Sequence, residues 1–251
     1  MKLLRDTWLT FTYETGLLVG NPKVVASQLL SPLTYLFFFT PFLKAVLHVS
    51  TYSEAFLIYL PSLFLAMGLF GGFYSGLALL EALRGGVIAR FRVTPMSRVG
   101  LLLGREFRHV VQIGFQAVVI TVMALVLGLR VPAANFLLAL VLLALAVLIG
   151  VSISYVLAIL VPNETALSNL TNGVAQPLAL LSGVFIPLAV APLWVRDVAL
   201  WNPFAWAANG MRTIFLGHIG SQVVWEAVII LAGLTVITAL LSSQMFTREI
   251  A

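Results

Sequence analysis

The chain contains no cysteine. Disulfides, thiol nucleophiles and cysteine metal sites are therefore excluded. Charge is also scarce: 9% of the 251 residues are Asp, Glu, Lys or Arg, against about 25% in soluble domains. The three histidines, His48, His109 and His218, lie far apart without ligand-like spacing, which gives no basis for a metal site. No phosphate loop of the form G-x-x-x-x-G-K-S/T occurs, so the chain is expected not to hydrolyse ATP by that route. It is read as a non-enzyme that binds no cofactor itself. No secretory signal is expected, because Arg5, Asp6 and Glu14 interrupt the first apolar run. Ser75-Gly76 and Ser182-Gly183 read as packing elements rather than intramembrane nucleophiles.

What is present is apolar length. Hydrophobic residues make up 61% of the chain and the mean hydropathy is +1.07. A water-soluble fold of this size could not hide so much apolar surface, so the solvent is lipid. Six charge-free runs of twenty residues or more are found: Val24–Leu43, Ala55–Leu80, His109–Leu129, Val131–Asn163, Thr165–Val195 and Ala227–Thr247. About 20 helical residues cross a hydrocarbon core of about 30 Å. In lipid the backbone must satisfy itself, and no ten-residue alternating segments suggest a barrel. The expected fold is all-α: one polytopic membrane domain over 1–251 with six transmembrane helices. The spans are placed at 24–47, 55–80, 106–129, 133–160, 165–186 and 223–247.

The cations fix an orientation. Lys2, Arg5, Lys23, Arg84, Arg90, Arg92, Arg98, Arg105, Arg108 and Arg248 fall on one side of the six spans, and Lys44, Arg130, Arg196 and Arg212 on the other. The excess of Lys and Arg puts the first side, with both termini, in the cytoplasm of a prokaryotic-type inner membrane. That asymmetry accounts for the net charge of +5 without nucleic acid as a partner.

Residues 1–20 are too polar to span. Leu4, Trp8, Phe11 and Leu18 share one helical face, which suits an interfacial amphipathic helix. The second span carries Gly68, Gly71, Gly72 and Gly76, a face for close helix packing. The fourth, almost pure Leu, Val and Ala, reads as lipid-facing. The fifth run is too long for one straight span, and Pro187 and Pro192 place its end near Phe185. Region 187–217 then reads as one or two short helices re-entering the outer interface, with Trp194, Trp201 and Trp206 at the headgroup level. Arg212 lies in that region, with Asp197 and Glu226 as its expected partners. All Asp and Glu residues sit at run boundaries or in loops. That arrangement favours apolar or amphipathic cargo and an energy source outside the chain.

One charged island interrupts the apolar sequence at Glu81–Arg108. Gly85-Gly86 ends the helix leaving the membrane, and Pro95 permits a new start. Between them a short basic helix parallel to the membrane is expected. Arg105 and Arg108 read as interface anchors of the third span. The residues Glu81, Arg84-Gly85-Gly86 and Phe91-Arg92-Val93-Thr94-Pro95-Met96-Ser97-Arg98 resemble the cytoplasmic loop of type-2 ABC exporter permeases, the family that includes daunorubicin-type drug efflux permeases. A second block agrees: Ser182-Gly183-Val184-Phe185-Ile186-Pro187, Trp201-Asn202-Pro203-Phe204, Met211-Arg212 and Phe215-Leu216-Gly217 are similar to that family's segment between its last two spans. The stretch Val87–Val93 departs by carrying only arginines, where the family often has acidic residues.

The resemblance implies an exporter permease of drug-like or lipid-like cargo. It works as a homodimer or as a heterodimer with a second permease, and a separate ABC ATPase subunit binds ATP and Mg. By the same resemblance, 81–98 is the coupling loop to the ATPase, with Glu81, Arg84, Gly85, Gly86, Arg90, Arg92, Thr94 and Pro95 as its contact residues. Pro187, Trp201, Asn202, Pro203 and Arg212 belong to the outer re-entrant region. The first, second and fifth spans are implied to line the cargo path, with Phe38, Phe70 and Phe185 as candidate lining residues. Tyr35, Tyr59, Tyr74 and Tyr155 also keep a glycolipid or polysaccharide exporter open. An ATP-independent channel or carrier is the alternative from another class.

Overall fold

The computed structural model describes residues 2–46, 48–85, 96–161, 163–185, 188 and 191–249. Nine α-helices and no strand occur among them. In chain order they are α1 (Lys2–Val19), α2 (Pro22–Val46), α3 (Tyr52–Arg84), α4 (Arg98–Val126), α5 (Ala133–Leu160), α6 (Glu164–Leu180), α7 (Leu193–Ala199), α8 (Pro203–Phe215) and α9 (Gln222–Glu249).

Five helices, α2, α3, α4, α5 and α9, are long and apolar enough to cross a membrane. The expected fifth crossing falls on α6, which has 17 residues and so runs about 26 Å. It ends at Leu180, short of the boundary expected near Phe185. Pro177 lies in its last turn, and Leu181 and Ser182 close it with N–H bonds to Pro177 O and Ala179 O.

Capping explains the helix starts. Thr51 Oγ1 accepts from Glu54 N at the start of α3, and Asn163 Oδ1 accepts from Ala166 N at the start of α6. Each satisfies a donor that has no intrahelical partner. At the start of α8, Asn202 Oδ1 accepts from Phe204 N and Pro203 takes the first helical position, where its missing N–H costs nothing.

The fourth expected span is corrected in its role. The structure places α5 at the centre of the bundle, against α3, α4, α8 and α9. Leu142, Ala146, Val147, Gly150, Ser154 and Tyr155 are all buried on it. Between membrane helices, lipid tails remove the hydrophobic drive, so close van der Waals fit and hydrogen bonds hold the contact. The α3–α5 seam shows both. A Cβ on Gly72 would stand 3.1 Å from Val147 O, and one on Gly76 2.5 Å from Ser154 O. That backbone approach frees Ser154 Oγ to accept from Gly76 N and to donate to Phe73 O. The glycine face thus serves packing as expected, except that Gly71 meets Ile113 of α4.

The α1–α4 seam follows the same rule. Gly100 and Gly104 of α4 lie against α1, and a Cβ on Gly104 would stand 2.6 Å from Thr10 Cβ. Helix α8 is wedged against α3, α5 and α9. Asn135 Nδ2 on α5 donates to Ile214 O at the end of α8.

Candidate functional site

A cavity of about 690 Å³ opens beside α3, walled by α2, α4, α6 and the segment after α6. Its contacts on α3 run from Tyr59 to Ala78, about 28 Å along the helix axis. It therefore spans most of a bilayer's thickness. One side is aromatic, with Tyr35 and Phe39 of α2 and Tyr59, Phe70 and Tyr74 of α3. Phe39 and Tyr59 stack with ring centroids 5.8 Å apart and planes 5° from parallel.

The other side is polar. Arg108, Gln112 and Gln116 recur every four residues along α4, which aligns them on one face. Gln28 of α2 faces them. Arg108 Nη1 donates to Gln112 Oε1 at 2.7 Å. Gln112 Nε2 donates to Gln28 Oε1 at 2.8 Å, and Gln116 Nε2 reaches the same oxygen at 3.4 Å. The second nitrogen of Arg108, Nη2, lies 2.7 Å from His109 Nε2. The guanidinium also lies 3.4 Å from His109 Nδ1, so it sits against the imidazole ring.

Behind Arg108 stands a buried charge cluster. Glu14 of α1 holds Arg105 Nη2 at 3.0 Å and Arg108 Nε at 3.8 Å. Glu106, 1% exposed, accepts from Ser152 Oγ of α5 at 3.1 Å. Asp6, also 1% exposed, accepts from Ser97 N at 2.8 Å, just before α4 begins. Two expectations are corrected here. Asp6 and Glu106 are not loop or boundary carboxylates in space, because the start of α4 covers Asp6 and α5 covers Glu106. Arg105 and Arg108 are not simple interface anchors, because Glu14 draws them into the protein.

At the opposite end of the cavity, Arg212 of α8 donates through Nη2 to Ser62 Oγ at 2.7 Å and to Gly183 O. Desolvation lowers its pKa to about 10, so it keeps its charge at physiological pH. The expected carboxylate partners are corrected: Glu226 instead accepts from Gln222 Nε2, and neutral oxygens hold Arg212. The result ties α3, α8 and the chain after α6 together. Gly183 adopts φ 74° there, a left-handed conformation that glycine reaches without steric cost.

The chain matches the ABC-2 type transporter family over residues 6–216. It belongs to that family. It is 27% identical over 236 residues to the Daunorubicin resistance ABC transporter permease protein DrrB1 of Streptomyces coeruleorubidus, covering 91% of this chain and 81% of that protein. It is 25% identical over 199 residues to the Putative transport permease ycf38 of Cyanophora paradoxa, covering 78% and 69% respectively. The chain is thus a multi-pass membrane permease of the ABC transporter class, a family that works with an ABC ATPase subunit.

The permease's sequence-predicted residues divide clearly. Glu81 and Arg84 are exposed in the last turn of α3, and Gly85 closes it by donating to Glu81 O at 2.8 Å. Gly86, Arg90, Arg92, Thr94, Pro95 and Pro187 lie outside the described residues. Glu81 shares a second recess with Glu164 and Ser168 of α6. Phe70 and Phe185 line the main cavity. Phe38 does not, and is 74% exposed on α2. Tyr155 is buried against His109 instead of lining the path. Asn202 and Pro203 are structural: besides capping α8, Asn202 donates to Leu178 O of α6. Trp201 stands 91% exposed, as an interfacial aromatic does.

The polar wall of the permease was missed at the sequence level. Its signal was present: Arg108, Gln112 and Gln116 at i, i+4 and i+8, and Gln28, Ser31 and Tyr35 at i, i+3 and i+7.

Proposed function

We propose that this chain is the membrane subunit of an ABC exporter that moves amphipathic, drug-like or lipid-like cargo out of the cytoplasm. The observation that carries the reading is the cavity beside α3, which runs about 28 Å with one aromatic and one polar wall. An amphipathic molecule needs both walls, and a lipid-filled groove would need only the first. A separate ATPase, with ATP and Mg, supplies the energy. It docks at the end of α3 and the loop after it, with Glu81 and Arg84 on the helix and Arg92 and Thr94 in the loop. Both termini then lie in the cytoplasm, α6 completes a sixth crossing together with the residues after it, and α7–α8 re-enter from the outer side. The working unit is a dimer of permeases.

Mechanically, the loop joins α3 to α4, and these are two of the helices around the cavity. A push on the loop reaches both walls at once. The α1 helix moves with α4, because Asp6, Glu14 and the Gly100–Gly104 face fasten it there.

The test is co-purification with the cognate ATPase, followed by Glu81→Ala, Arg92→Ala and Thr94→Ala. The expected result is loss of ATPase assembly or of cargo-stimulated turnover. Retention of both in all three variants refutes the docking assignment. A second reading, export of a carbohydrate-bearing lipid, is favoured by Tyr35, Tyr59 and Tyr74 lining the cavity, since tyrosine faces stack on sugar rings.

A further inference from the structure

The glutamines in the cavity are not free to turn either way. A side-chain amide can usually present its oxygen or its nitrogen, and the hydrogen-bond network decides. Here the network starts at a group with one possible role. Arg108 can only donate, so Gln112 must offer its oxygen to Arg108 Nη1. Its nitrogen then faces Gln28, whose oxygen must accept. That same oxygen takes the Gln116 nitrogen. The direction set at Arg108 passes through three amides.

The consequence concerns what remains. The oxygens of Gln112 and Gln28 are occupied within the wall. The N–H groups left over, both of Gln28 and one each of Gln112 and Gln116, are four donors without a partner in that network, against one open acceptor, Gln116 Oε1. The far end repeats the bias. Ser62 Oγ lines the cavity and accepts from Arg212. Its own proton has only Ile58 O, at 3.5 Å, within its helix. No Asp or Glu is among the described residues lining the cavity. Glu14 and Glu106 of the neighbouring charge cluster are engaged, Glu14 with Arg105 and Arg108 and Glu106 with Ser152.

From this we infer that the cavity selects its occupant as a hydrogen-bond acceptor: an amphipathic molecule with an aromatic body and carbonyl, ether or carboxylate oxygens, neutral or anionic, in preference to a cationic amine. The inference rests on the cavity being the cargo path and names its substrate class. Aromatic walls by themselves attract cations. Here a guanidinium at the cavity wall opposes that attraction, and Phe39 and Tyr59 each spend one ring face on the other. Arg108 is a positioning residue for specificity, because it fixes the direction of the amide chain. The donors that meet cargo are on Gln28, Gln112 and Gln116.

The test uses the full chain in nanodiscs of neutral phosphatidylcholine, with empty discs as the reference. Three fluorescent probes share one ring system: 2-acetylanthracene, anthracene-2-carboxylate and anthracen-2-ylmethylammonium. The acetyl and carboxylate probes are expected to bind about tenfold or more tighter than the ammonium, the scale of one well-placed hydrogen bond. Gln28→Glu is the decisive variant. Its carboxylate still accepts from Gln112 and Gln116, so the helices stay joined, while the free donors of Gln28 become acceptors. It is expected to abolish or reverse the preference. Arg108→Gln, which frees the amides to turn, is expected to bring the acetyl and ammonium probes within about twofold.

The inference is overturned if the wild-type chain binds the ammonium equally or more tightly. It is also overturned if no probe binds above empty discs, or if Gln28→Glu keeps the wild-type preference. ATP-driven transport by the assembled complex is scored separately. Transport with a preference for the ammonium sinks this inference alone. Absence of ATPase coupling with the probe preference intact sinks the exporter reading alone.

Discussion

Glu14 is the residue whose removal is expected to loosen the α1–α4 unit most. It is the carboxylate partner of Arg105, at 3.0 Å, and of Arg108, at 3.8 Å. The three side chains are 19%, 10% and 14% exposed. An exposed ion pair contributes about 0–1 kcal/mol. Removing one partner of a buried pair costs about 3–5 kcal/mol, because the remaining charge is stranded. The exposures here lie nearer the buried case, so Glu14→Ala is expected to cost about 2–3 kcal/mol. If that cost falls on the attachment of α1, its detached population rises roughly 30- to 150-fold.

The absence of cysteine makes this measurable. Thr10 is 6% exposed and sits at the Gly104 approach, so Thr10→Cys supplies a single thiol hidden only while α1 is seated. Maleimide labelling in nanodiscs should accelerate by the same 30- to 150-fold in the Glu14→Ala background, and by less in Glu14→Gln, which retains an acceptor oxygen. A labelling rate within about twofold of the parent would refute the claim that the Glu14 pair holds α1.

Three further outcomes follow from the packing. Gly76→Ala places a methyl 2.5 Å from Ser154 O and should cost about 2 kcal/mol or more, seen as a lower midpoint of thermal unfolding in detergent. Gly16→Ala, with nothing within 4 Å, should leave that midpoint unchanged or raise it slightly; equal losses in the two variants would contradict the seam. Asn202→Ala loses both the α8 cap and the tie to Leu178 O, about 1–2 kcal/mol, and should speed proteolysis between α6 and α8. Arg212→Met removes the bonds to Ser62 and Gly183 and should raise labelling of a Phe185→Cys thiol from the outer side; unchanged labelling would show that Arg212 does not fix the segment after α6.

The helices were legible because the property that makes them, uninterrupted apolar length, is local in sequence. The end of α3 at Arg84 followed from Gly85, since a helix breaker acts within a few residues; the Asn202-Pro203 cap of α8 is equally local but was not read as a helix start. Long-range features were not legible. Uniform apolarity reads the same whether a helix faces lipid or protein, so α5 looked peripheral. Its Gly150, Ser152 and Ser154 were the signal of a packed face. The tie from Arg212 to Ser62 and Gly183 carries no complementary charge, so a search for a carboxylate led to the wrong partners. The cavity's polar wall joins Gln28 to Gln112, 84 residues apart. No local pattern states that distance, although the four-residue spacing along α4 did mark one half of it.

The central claim is that this chain moves cargo only when a separate ATPase drives it. Inside-out proteoliposomes holding the permease with its cognate ATPase should accumulate an aromatic acceptor-bearing probe on addition of ATP and Mg, and should not accumulate it with a non-hydrolysable analogue. Equal accumulation by permease proteoliposomes that lack the ATPase would contradict the account.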